Sequence, residues 1–127
     1  MNPQKLMSKA ERSATSAKLL FDAGDIEGAC DRAYYAMFNS ARAALIAADV
    51  MAQEDLARTH GGLISAFSLH LVKTEKVPLE CGQNLNKVEE LRLIADYKGE
   101  PIEPEIAKWA VDKAQEFIKI MKATIGL

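Results

Sequence analysis

At 127 residues, with 49% hydrophobic and 27% charged residues, the chain has the size and composition of one ordinary globular domain and needs no staple to build a core. A formal net charge of −2 and a pI near 5.7 exclude the broad basic field that drives sequence-blind nucleic-acid binding and leave room only for a local basic pocket. No apolar run approaches the roughly 18 residues that span a bilayer, and the amino-terminal MNPQKLMSKAERSA lacks an apolar signal core, so the expectation is a soluble, cytoplasmic protein with no membrane partner.

Residues 5 to 22 place Leu6, Met7, Ala10, Ala14, Ala17 and Phe21 on one face, with Lys5, Glu11, Arg12 and Lys18 elsewhere. That is the period of an amphipathic helix, and Gly24 ends it. Asp25 then caps a second helix, with Glu27 favourable in its first turn, so the first two helices form a tight antiparallel pair. Along residues 25 to 48, Ile26, Cys30, Ala33, Met37, Ala41, Ala44 and Ala48 recur every three or four positions. The opposite flank carries Asp31, Tyr35, Phe38 and Arg42. A helix apolar around most of its circumference belongs at the centre of a bundle.

After Val50 the segment MAQEDLA reads as a loop with a partial turn. Thr59 is the N-cap expected for a third helix, on which His60, Leu63, Ile64, Phe67 and Leu71 share a face. Gly61 and Gly62 within it point to close backbone approach by a neighbour. Lys73 to Pro78 breaks the pattern, since Pro78 disfavours a helical residue before it. A fourth helix follows from about Glu80 to Tyr97, with Leu85, Val88, Leu91, Leu93 and Ala95 as its apolar surface. Lys98 to Pro104 is a turn, and Pro104 between Glu103 and Glu105 opens a fifth helix. Its buried stripe is read as Ile106, Trp109, Ala110, Phe117, Ile120 and Met121. No segment alternates with the period of a strand. The expectation is a single all-α domain over 1–127, an up-and-down antiparallel bundle of about five helices.

Cys30 and Cys81 have no metal-ligand or redox spacing, and both read as buried reduced thiols. Glycine-rich phosphate loops, GxSxG elbows and CxxC pairs are all missing from the sequence, so neither a metal nor a cofactor is expected. Three sets of polar residues remain. Asp31 and Tyr35 stand one turn apart on the second helix, with Arg42 further along the same flank, and can touch across that turn. His60 starts the third helix, where a helix amino terminus favours a neutral imidazole able to accept a proton. Glu89, Arg92 and Asp96 recur at three and four on the fourth helix. They form either an exposed charge-laced edge or a partly buried arginine held between two carboxylates and able to clamp a phosphate. His70 has no partner at ligand spacing.

The segments DRAYYAMFNSARAAL at 31–45, RTHGGLI at 58–64 and LRLIADY at 91–97, in that order, resemble the HEPN superfamily, and most closely the small stand-alone HEPN proteins of prokaryotes. The resemblance implies a helical bundle that commonly forms a homodimer, often encoded beside a minimal nucleotidyltransferase as a toxin–antitoxin-type pair. Many HEPN proteins are metal-independent ribonucleases whose signature is an arginine followed, after four to six residues, by a histidine. Arg92 matches the arginine; the histidine window reads Tyr97, Lys98, Gly99. A tyrosine of ordinary acidity is a poor general base at neutral pH.

Three readings follow. In one, the chain binds a nucleotide, an RNA or a partner protein in a polar cleft of Arg92, Asp96 and Tyr97 with Asp31, Tyr35 and Arg42. In another it is a ribonuclease in which His60 replaces the signature histidine, Arg92 stabilises the charged phosphorane and Asp31 or Tyr35 orients groups around it. In the third the polar seam is packing alone, in a non-catalytic interaction protein.

Overall fold

The computed structural model describes residues 2–50 and 59–127; the expected loop MAQEDLA and Arg58 lie outside them. The described residues fold into five α-helices: α1 Pro3–Asp22, α2 Ile26–Ala47, α3 His60–Phe67, α4 Leu79–Leu93 and α5 Pro104–Ile125. Two single π-helical turns, Ser68–Val72 and Ile94–Lys98, extend α3 and α4. None of the described helices is long and apolar enough to cross a membrane.

Local chemistry sets the helix ends. Asn2 caps α1 by accepting from the Lys5 amide at 2.8 Å, with Pro3 just inside the helix. Gly24 takes φ +88° in the connection to α2, a conformation that costs glycine little. The Asp25 carboxylate accepts from the Gly28 amide at 2.9 Å, and a Cβ at Gly28 would collide with that carboxylate. Thr59 Oγ1 accepts from the Gly62 amide at 2.9 Å, which makes His60 the first residue of α3.

Helix α2 packs against each of the other four helices. Ala29, Cys30, Ala33, Ala36, Met37, Ala41, Ala43, Ala44 and Leu45 are all buried, so burial runs well beyond one stripe. Ala10, Ala14 and Ala17 of α1 and Ala107, Ala110 and Ala114 of α5 are buried too. Small side chains on three neighbouring helices allow the axes to approach at the short end of the usual range, roughly 8–10 Å. Cys30 and Cys81 are free buried thiols, and burial pushes each up to about 11.

Three expectations need correction. The α5 stripe does not begin at Ile106, which is exposed; Ala107, Ala110, Val111, Ala114, Phe117, Ile118 and Met121 face inward. The buried line therefore sits one position later in the first turn, and Trp109 lies at its margin under the Lys87 ammonium at 5.0 Å. Leu93 is exposed, because the inward side of α4 there is taken by Leu91 and Arg92. A Cβ on Gly61 would meet nothing within 4 Å among the described residues, so that glycine marks no close approach to them.

Candidate functional site

Tyr34, fully buried on α2, is the hub of the polar seam. Its hydroxyl lies 2.5 Å from His60 Nδ1 and donates to Glu89 Oε2 at 3.1 Å, joining α2, α3 and α4 through one oxygen. The Arg92 guanidinium stands 4.9 Å from the Tyr34 ring centroid and 6.0 Å from that of Tyr35. The His60 ring packs at 5.3, 6.0 and 4.8 Å from Tyr34, Tyr35 and Phe38. His60 and Arg92 thus lie against the same pair of tyrosine rings.

Arg92 is 7% exposed. Among the described residues its nearest carboxylate is Asp96 at 3.4 Å, a long contact for an ion pair, and its Nε has no hydrogen-bond partner. An arginine so enclosed, paired weakly and to a half-open carboxylate, keeps donors for an anion. Of the two arrangements the spacing allowed, an exposed edge or a clamp of Arg92 by two carboxylates, neither is observed in full: Arg92 is buried, but the double clamp is not made. Glu89 turns to the Tyr34 hydroxyl, so among the described residues Asp96 alone pairs with the guanidinium.

Burial is the main cause that holds the His60 imidazole below its usual pKa; the Arg92 cation lowers it further and Glu89 opposes both. The imidazole is neutral at physiological pH. Burial and the Glu89 carboxylate push the Tyr34 hydroxyl in the other direction, far above the usual range for tyrosine, so it keeps its proton.

The remaining expected residues take other places. Asp31 does not hydrogen-bond Tyr35; it faces Arg32 at 3.5 Å, and Arg32 in turn covers the Tyr35 ring at 5.0 Å. Arg42 stacks on Phe38 at 6.0 Å. Tyr97 lies in the π-helical turn and is 76% exposed, outside the cluster around Tyr34. His70 is half-buried on the Ser68–Val72 turn.

Sequence periodicity passed over Tyr34 because it falls with Cys30, Met37 and Ala41 on the apolar ridge of α2. The signal was that position itself: a buried tyrosine needs a partner for its hydroxyl, so a phenol in a core ridge marks a polar contact from another helix.

A sequence profile of the HEPN domain matches residues 3–124. The chain belongs to the HEPN family. A UPF0332 protein of Gloeobacter violaceus is 38% identical over 96 residues, covering 76% of this chain and 72% of its own length. A protein of Methanocaldococcus jannaschii that carries the name Putative toxin is 30% identical over 122 residues, 96% of this chain and 87% of that one. A second protein of the same organism and the same name is 27% identical over 120 residues, 94% and 78% of the two chains. The HEPN match takes in every residue of the Tyr34, His60, Glu89 and Arg92 cluster.

Proposed function

We propose that this HEPN chain is the RNA-directed member of a toxin–antitoxin-type pair, and that it cleaves RNA without a metal ion, with His60 as general base and Arg92 as the phosphate-binding cation. The observation that carries the reading is the packing of a neutral imidazole and a buried, under-paired guanidinium on the same two tyrosines. The word toxin in the names of the two Methanocaldococcus relatives supports the biological setting.

In this reading the imidazole takes the proton of a ribose 2′-hydroxyl while the 2′-oxygen bonds to phosphorus. The bond from phosphorus to the 5′-oxygen breaks, and that oxygen takes a proton from solvent. The products are a 2′,3′-cyclic phosphate and a 5′-hydroxyl. Arg92 bears on the extra negative charge of the phosphorane, where a cation in a partly dry site acts most strongly. A second copy of the chain and a minimal nucleotidyltransferase acting as antitoxin are the partners this reading brings with it.

The second reading is a module that binds RNA or nucleotide around Arg92 and does not cut. One observation favours it: where the ribonuclease signature has its histidine, this chain has Tyr97, which is exposed. The deciding experiment is cleavage of RNA by the purified protein in EDTA, beside Arg92→Ala and His60→Ala variants whose folding is checked by circular dichroism. Cleavage lost in both folded variants supports the ribonuclease. Binding that needs Arg92 without any cleavage supports the module.

A further inference from the structure

The Tyr34 oxygen has one proton and, among the described residues, two polar neighbours, His60 Nδ1 and Glu89 Oε2. An ionised carboxylate only accepts, so the contact with Glu89 uses the phenol proton. The same oxygen then has only lone pairs to offer His60, and the short contact to Nδ1 requires a hydrogen on that nitrogen. We propose that Glu89 and Tyr34 are positioning residues that hold His60 as the Nδ1–H tautomer and leave Nε2 as the bare, proton-accepting atom. This rests on the reading of His60 as the base in RNA cleavage.

The surroundings of His60 fit the assignment. From α2 it is faced by Tyr34, Tyr35 and Phe38, and from α4 by Glu89 and Arg92. Only Glu89 among these groups carries a negative charge, and its reach to the imidazole runs through the Tyr34 hydroxyl. Tyr34 is fully buried and locked between Tyr35, Phe38 and the Arg92 guanidinium, so its oxygen has little freedom to turn elsewhere. A carboxylate that fixes the tautomer of a histidine base is a common device; here a tyrosine is interposed and the carboxylate comes from a different helix than the histidine.

The test reads the tautomer directly, by long-range proton–nitrogen correlation of the His60 ring in 15N-labelled protein, at a pH where the ring is neutral. The wild-type ring is expected mainly as Nδ1–H. Tyr34→Phe removes the acceptor for that hydrogen and moves the ring towards Nε2–H, the form solvent favours. Glu89→Met removes the acceptor for the phenol proton, which then turns to Nδ1 and forces the same change. In a cleavage assay Tyr34→Phe lowers kcat by about tenfold with the KM for RNA unchanged, part of the roughly hundred-fold or more that a general base supplies.

A wild-type ring already in the Nε2–H form, or an unchanged tautomer in both folded variants, overturns the proposal. Should Tyr34→Phe fail to fold, Glu89→Met decides alone. The tautomer measurement needs no activity: Nδ1–H in a wild-type protein that cuts no RNA would refute the ribonuclease reading while leaving the Glu89 and Tyr34 assignment standing.

Discussion

The Tyr34 hydroxyl, 2.5 Å from His60 Nδ1, ties the middle of α2 to the first residue of α3. The contact places a histidine, at a helix start on the edge of the bundle, over the aromatic patch that also carries Arg92. Its consequences for charge, protonation and stability can be measured separately.

Arg92→Met separates a functional arginine from a packing one. Methionine fills similar space without leaving the buried Nε unpartnered, and the ion pair it removes is long and half-open. Stability is expected within about 1 kcal/mol of wild type by urea denaturation. RNA affinity, measured by fluorescence anisotropy, is expected to fall about tenfold or more, the loss of at least one charge-assisted hydrogen bond. Unchanged affinity with a large loss of stability would point to a seam that is only packing.

Asp96→Asn should act in the opposite direction. The Asp96 carboxylate, with its side chain 40% exposed, competes with any phosphate for Arg92. Neutralising it is expected to tighten RNA binding severalfold, while stability changes by less than about 1 kcal/mol, as for other half-exposed pairs.

The pH dependence follows from the depressed pKa of His60. Folding favours the neutral ring, so the unfolded chain binds more protons below its ordinary value near 6.5. The contribution of His60 to stability is therefore full above that value and is lost as pH falls through the lower, folded value. The acid limb of cleavage should lie below pH 6.5 for the same reason. An NMR titration of the ring should show its pKa rising in Arg92→Ala, which removes a neighbouring cation, and falling further in Glu89→Gln, which removes the opposing charge.

The corrected register of α5 is open to a direct check. Met121→Ala truncates a fully buried side chain and is expected to cost about 2–5 kcal/mol in denaturant unfolding. Ile106→Ser changes an exposed side chain, 41% accessible, and should stay within about 0.5 kcal/mol.

Thr59→Ala removes the side-chain cap of α3 and is expected to lower stability by about 1 kcal/mol. Because His60 follows the cap directly, the same change should broaden the His60 ring resonances, while Asp25→Ala, which removes the cap of α2, should leave them unchanged.

What the sequence by itself determined was the set of helices and their ends. Asp25, Thr59, Gly24 and Pro104 act through their own backbone neighbourhood, so their residue types suffice to mark a cap, a turn or a start. The alanine-rich burial of α2 was equally legible, because apolar recurrence every three or four residues reports burial whatever the partner. The HEPN resemblance rested on the same local segments, and the match over 3–124 bears it out. Only the tertiary structure decided which polar groups meet. Glu89 had a well-spaced partner in Arg92 on its own helix and instead receives the hydroxyl of a tyrosine 55 positions earlier. Helical spacing ranks contacts within one helix, at a few tenths of a kcal/mol each, whereas a buried phenol must satisfy its hydroxyl wherever packing allows. The stronger requirement belongs to Tyr34, and no local pattern could reveal that α3 and α4 bring His60 and Glu89 to meet it.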